Sequence, residues 1–420
     1  MNAFEIKLNK KIIFCTLLLL LLLVLLCSAA WCSAATNTDL VRVGLIQNAS
    51  SISFTLQGDY RLIDVSTGQS IAGSTTGNWV IKNDGGKCQV FRDDKALGLF
   101  VGPVRAESQS QNLNLAGVTN GGQAKQYRGN IEVRGNAGGL TLINELPVEE
   151  YLYGVVPSEM PATFPVEALK AQAVAARSYA LSHLGRYEAS GFDILNNQSD
   201  QVYKGFAGEH PVTVSAVDDT KDLVLVYDNQ IVEAFFHASS GGYTENSEDV
   251  WVGQLGYIKT KTDTYDYNEQ YYNWSVTYTG TELTALINQQ MQKRAPAGYT
   301  PFATITGLTN SEMTASGHRV KKLLVQGIDS AGKAHSYTFA NSDQVRSCLG
   351  LKSALFTTSQ QKTASGAISS VTFKGSGIGH GLGMSQYGAA GMANAGNSFE
   401  EILQYYYTDV ELLPYSSTLN

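Results

Sequence analysis

The segment from Pro165 to about Tyr187 constrains the fold more than any other. Ala168, Leu169, Ala171, Ala173, Val174 and Ala176 make it a helix of small apolar residues, with no wide polar face to give to water. A helix of this kind is stable only when other elements close around it. The rest of the chain supplies mostly strands for that purpose. From Leu40 to about Lys125, and again from Tyr127 to Asn144, short alternating apolar runs are separated by Gly, Asn, Ser and Asp. The expected class is therefore α+β: mixed strands around a buried Ala-rich helix, preceded by a β-rich N-terminal module.

Further elements can be placed on the sequence. Leu146-Pro147-Val148-Glu149-Glu150 opens a helix, with proline early and acids in the first turn, where the helix dipole favours them. A break is expected at Val156-Pro157-Ser158-Glu159-Met160-Pro161. Asp222–Tyr227, a turn at Asp228-Asn229-Gln230 and Ile231–Phe236 read as a hairpin. Residues 281–294 read as a helix and 318–340 as two strands. Ser369–Phe373 reads as a strand before a glycine-rich turn and a helix beginning near Ser385.

Residues 1–35 read as an export signal. Lys7, Lys10 and Lys11 precede the apolar run Ile12–Leu26, and small residues follow in Ser28-Ala29-Ala30 and Ser33-Ala34-Ala35. Cleavage after Ala30 or Ala35 is expected, with a retained N-terminal anchor as the rival; either places the protein outside the cytoplasm. The expected organisation is 1–35 signal or anchor, 36–125 β-rich module and 126–415 functional domain. Cys15, Cys27 and Cys32 fall inside the signal. Cys88 and Cys348 remain, and export permits a disulfide or two free thiols. With 43% hydrophobic and 16% charged residues the chain is globular, and a net charge of −7 argues against a nucleic-acid partner.

Four segments carry candidate chemistry. Glu159 sits between Pro157 and Pro161, which restrict the backbone beside an apolar helix; a carboxyl desolvated there can act as an acid near neutral pH. Arg177, alone among alanines, either snorkels or pairs with an acid that orients the site. Phe236-His237-Ala238-Ser239-Ser240-Gly241-Gly242 ends a strand in small polar residues; it is a turn or a ligand-contacting loop. A Ser nucleophile with His as base is conceivable, though the Gly-x-Ser-x-Gly elbow is missing. Gly375–Gln386 alternates glycines with His380 before a helix, so its backbone can approach a ligand closely. It has no βαβ context, which excludes a dinucleotide fingerprint.

Together these segments resemble the stage II sporulation protein D family (SpoIID/LytB), which includes the amidase enhancers. The resemblance rests on LPVEEYLYGVVPSEMPATFPVEALKAQAVAARSYAL (146–181), SDQVYKG (199–205), FFHASSGGYTE (235–245), GYIKTKTDTYD (256–266) and GIGHGLGMSQYGAAGMANAG (377–396). It covers roughly 125–410. It implies a peptidoglycan lytic transglycosylase with Glu159 as catalytic acid, giving a 1,6-anhydro product. The alternative it implies is a non-catalytic enhancer that binds glycan strands and stimulates a cell-wall amidase. By the same resemblance Arg177, Tyr257, Lys259 and Asp266 occupy family positions. Tyr203, His237, Ser239, Ser240, His380 and Gln386 fall in motif positions lining the cleft. Some family members hold zinc near the second motif with cysteines. Serines stand there in this chain, so no metal and no cofactor are expected.

Overall fold

A computed structural model of the chain describes residues 40–418, apart from 111, 121–122, 252, 268 and 295–297. Residues 1–35, read above as an export signal, and their three cysteines lie outside the described residues. The molecule is α+β, with several sheets.

Two six-stranded sheets build the first half. One runs in the order Ile194–Leu195, Leu40–Ala49, Gly139–Pro147, Asn130–Asn136, Val104–Ser108, Tyr60–Asp64. The other runs Lys95–Phe100, Lys87–Arg92, Asn78–Asp84, Ser51–Gln57, Leu115–Asn120, Gln123–Tyr127. Inward residues such as Val41, Leu62, Trp79, Val104, Val133 and Leu142 fuse the sheets into one core, and the Gly139–Pro147 strand is buried along nearly its whole length. The boundary expected at 125 falls inside the Gln123–Tyr127 strand. Strands from either side of it share a sheet, with Val104 opposite Val133 and Ala106 opposite Ile131. Alternation alone reports that strands exist, not which strands they pair with.

Helix α1 (Val148–Glu159) follows directly from the Gly139–Pro147 strand, and α2 (Val166–Ser182) follows a short link. Each is preceded by a proline, Pro147 and Pro165, whose fixed φ leads into the first turn. The break expected at Val156–Pro161 is shorter than the sequence suggested. Pro157 lies within α1, and Glu159 is its last residue. Pro157 has no N–H to offer the carbonyl of Tyr153, so the final turn of α1 goes without one ladder hydrogen bond. There the Ser158 hydroxyl donates to Gly154 O and the Met160 N–H to Val156 O. Helix α2 is buried from Ala168 to Leu181 except at Lys170, as its composition demands. It ends at Ser182, earlier than Tyr187, and Gly185 then adopts a positive φ of 79°. Helix α3 (Pro211–Asp219) packs against both.

The hairpin at 228–229 forms as expected, with Asp228 and Asn229 both at positive φ and Tyr227 opposite Gln230. Its second strand is only Gln230–Ile231. Residues from Trp274 to Phe373 then form a second hydrophobic cluster, built from helix α4 (Gly280–Arg294) and two three-stranded sheets. The turn between Thr304–Met313 and Val320–Ile328 enters the first core. There Ser316 Oγ donates to Glu245, Ala315 N to Asp249, and Arg319 Nη2 to the carbonyls of Ser240 and Tyr243. The chain returns through Ile368–Gly375 and the glycine-rich turn to α5 (Gln386–Asn394) and α6 (Phe399–Tyr406). Ser385 caps α5 by accepting from the Gly388 N–H. Cys88 and Cys348 are both buried and free, in different hydrophobic clusters.

Candidate functional site

The carboxyl of Glu159 closes α1. Its Oε1 accepts from the Val202 N–H at 2.7 Å, and its side chain is half-buried. Burial pushes its pKa up, opposed by the Val202 hydrogen bond and the charge of Lys204. A second carboxylate is not among the groups acting on it. The wall beneath is aromatic. Tyr203 stacks on Tyr127 and Tyr151, its hydroxyl donates to Asn144 Oδ1 at 2.9 Å, and the Tyr151 hydroxyl donates to Gln201. Gly154 admits the Tyr203 ring, since a Cβ there would stand 2.6 Å from it.

Arg177 is fully buried and grips Glu149 in a two-pronged pair, Nε–Oε1 at 2.9 Å and Nη2–Oε2 at 2.6 Å. It also donates to the carbonyls of Val217 and Leu223. Its partner is therefore the first-turn acid of α1, and it fixes that helix on α2 and so the position of Glu159. Arg177 thus pairs with an acid inside the core rather than reaching out to solvent.

Ser239, Ser240 and Asp266 converge. Both serine hydroxyls, the N–H groups of Ser240 and Gly241, and Ser385 Oγ all donate to the Asp266 carboxylate. Asp263 joins them through Ser240 and through the Tyr406 hydroxyl. Burial and the Asp266 charge raise the Asp263 pKa to about 6. The serine hydroxyls thus face carboxylates, and the imidazole of His237 is directed to Leu382 O instead, so no Ser–His pair forms.

His237 turns the other way. Its Nδ1 lies 3.0 Å from Leu382 O, and its ring is 5.4 Å from that of His380. His380 accepts from the Leu382 N–H and packs on Trp251 at 4.9 Å. Burial drives the His237 pKa well down and that of His380 to about 4, which favours the neutral form of each imidazole. The residues do not fit a zinc centre. The neighbouring hydroxyls are spent on Asp266, and no group of three His, Cys, Asp or Glu able to hold a metal occurs among the described residues.

Gln386 donates to Gln172 on α2 at 3.3 Å, tying the glycine-rich segment to the buried helix. The Tyr257 hydroxyl accepts from Glu233 N, and its ring packs on Tyr227. Lys259 is half-buried, and its carbonyl accepts from Thr244 Oγ1. Glu159, Lys259 and His380 are partly open to solvent. Arg177, Tyr203, His237, Ser239, Ser240, Tyr257, Asp266 and Gln386 are buried.

Sequence reasoning missed Asp263, Glu149, Gln172 and the Val202 N–H. The spacing of Asp263 and Asp266 was a usable signal, because two acids three residues apart in a turn can face one another. Glu149 was legible only as a helix-dipole acid.

The described residues thus hold one desolvated carboxyl anchored at a helix end, Glu159, and a separate set of loops cross-braced by buried serines and carboxylates. The family model described as "Stage II sporulation protein" matches residues 136–227, and a domain of unknown function matches 243–383. The chain is 34% identical over 293 residues to stage II sporulation protein D of Bacillus subtilis (strain 168), covering 66% of this chain and 78% of that one. It is 31% identical over 297 residues to an amidase enhancer of the same organism, covering 63% of this chain and 40% of that one. An uncharacterized protein of Brachyspira hyodysenteriae is 27% identical over 388 residues, covering 91% and 95%. The chain belongs to the SpoIID family.

Proposed function

We propose that this protein is exported by its N-terminal segment and cleaves the glycan strands of peptidoglycan as a lytic transglycosylase. The names of its relatives support a role in sporulation or the cell wall. The observation that carries the reading is the state of Glu159: held by one backbone N–H, raised in pKa by burial, with Lys204 as the nearby charge.

Hydrolysis of a glycoside ordinarily needs two carboxyls, one for the leaving group and one for water or attack. A cyclising cleavage needs one. Protonated Glu159 gives its proton to the glycosidic oxygen between N-acetylmuramic acid and N-acetylglucosamine, and the bond from that oxygen to C1 breaks. The carboxylate left on Glu159 takes the proton of the muramic acid C6 hydroxyl, whose oxygen closes on C1. The products are a free N-acetylglucosamine 4-hydroxyl and a 1,6-anhydro ring, and the acid is restored. Desolvation favours the first role, and the Lys204 charge with the Val202 N–H supports the carboxylate in the second.

A second reading rests on the likeness to an amidase enhancer: the chain binds glycan strands and stimulates an amidase without cutting them itself. Mass spectrometry of purified peptidoglycan after incubation with the protein separates the two. Anhydromuropeptides support the transglycosylase. Intact strands, with faster peptide release only when an amidase is added, support the enhancer.

A further inference from the structure

We propose that the groove between the α1–α2 link and α5 is a binding platform for neutral sugar rings, where a glycan strand stacks on tyrosine faces on its way to Glu159; this rests on the reading of glycan as substrate. The groove holds about 640 Å³ and is walled by Phe164, Tyr265, Tyr267 and Tyr387, with Asn394 at its rim. Phe164 lies only five residues beyond Glu159, across the link joining the two helices.

The wall rings are braced. Tyr387 is held edge-on by Phe164 and by Tyr271, each 5.2 Å between centroids at 61°. Tyr265 meets Tyr405 at 5.8 Å and 88°, and Tyr267 meets Tyr272 at 5.2 Å. Rings fixed in this way lose little freedom when a ligand arrives. The Tyr265 main chain is seated directly on α5, because Gly391 has no side chain; a Cβ there would collide with the Tyr265 carbonyl.

The chemistry of the lining selects the occupant. No Asp, Glu, Lys or Arg is among the described lining residues. Among the described lining residues a polyanion or a charged stem peptide finds no charged partner. A pyranose offers an apolar C–H face to a ring and hydroxyls to phenols and to an amide, which matches these walls. Tyr267 is 70% exposed and Tyr265 36%, so their faces are open to solvent rather than spent on the core. Large exposed aromatic surface on an otherwise well-packed protein marks an interaction site.

The test is titration of the full chain with tetra-N-acetylchitotetraose, followed by calorimetry and tyrosine fluorescence, with anhydromuropeptide release measured in parallel. We expect saturable binding that weakens at least about fivefold in Tyr267→Ala and in Tyr387→Ala. Tyr267→Phe, which keeps the ring, should bind within about twofold of the parent. Tyr267 is exposed enough that its loss leaves the fold intact, so it decides the matter if Tyr387→Ala does not fold. An unmodified chain that ignores the tetrasaccharide, or alanine variants that bind like the parent, would overturn the platform. So would displacement of the sugar by a free stem peptide. Ring-dependent binding without anhydro product would instead leave the platform standing and remove the transglycosylase.

Discussion

Asp263 and Asp266 share one hydroxyl: Ser240 Oγ lies 3.0 Å from Asp263 Oδ2 and 2.8 Å from Asp266 Oδ2. A hydroxyl carries a single hydrogen, so it donates to only one of them. Asp266 already collects donors from Ser239, Ser385 and two backbone N–H groups. The remaining short contact is a hydrogen bond only if Asp263 carries a proton and donates it to Ser240. Two buried carboxyls this close do not both ionise without cost. The glycine at 388 belongs to the same design, since a Cβ there would run into Asp263 and Tyr406.

This pair predicts a pH dependence. The folded pKa of Asp263, about 6, stands above its ordinary 3.8. The folded state therefore binds the extra proton, and stability is lost as pH rises from about 4 to about 6. Asp263→Asn keeps a donor toward Ser240 and removes the titration. At pH 7.5 it should be more stable than the parent by on the order of 2 kcal/mol, and the difference should vanish near pH 4. Urea unfolding of both proteins across this range checks the slope. A constant difference would mean that Asp263 does not titrate there.

Glu132 predicts the opposite slope. It is fully buried under Arg42, Arg105 and Arg134. Burial alone would raise its pKa, but the charge of Arg42, the hydrogen bond from Arg134 and the charge of Arg105 bring it down to about 2. The stabilisation is present above its ordinary 4.5 and is lost as pH falls toward 2. Glu132→Gln leaves the arginines short of one buried counter-charge and should cost roughly 3–5 kcal/mol at neutral pH. A Tm unchanged from the parent would show that Glu145, which also pairs with Arg42 and Arg105, suffices alone.

Removing residues 36–125 should abolish folding. The deletion strips the Leu40–Ala49 and Val104–Ser108 strands from a shared sheet and uncovers Val133, Leu140 and Leu142, all buried here. The expected product is insoluble or lacks a cooperative thermal transition. A folded, soluble remainder would show that the second half carries its own core.

Much of this architecture was legible because its signals are local. Small residues on every face of α2 required burial on every face. Asp228-Asn229 specified a turn with positive φ, and Pro147 and Pro165 marked two helix starts. The site was legible as motifs but not as contacts. The partner of Arg177 lies 28 residues away and that of Gln386 lies 214 away, and no periodicity reports such pairings. Glu159 was placed in a link because prolines flank it. The helix nonetheless runs through Pro157, giving up one ladder hydrogen bond in its last turn. The boundary at 125 meets a related limit: strand patterns on the two sides look alike, and only pairing shows that strands from both sides share one sheet.

The central claim, that Glu159 acts as acid and then base, is tested most directly by Glu159→Gln. The amide keeps the shape of the side chain but cannot pass a proton to the glycosidic oxygen. Anhydromuropeptide release from purified peptidoglycan, quantified by mass spectrometry, should fall by at least about 10²-fold relative to the parent, while the variant still sediments with intact glycan strands. In the parent, release should decline as pH rises past the elevated pKa of Glu159, because only the protonated carboxyl starts the reaction. Parental amounts of 1,6-anhydro product from Glu159→Gln would contradict the account.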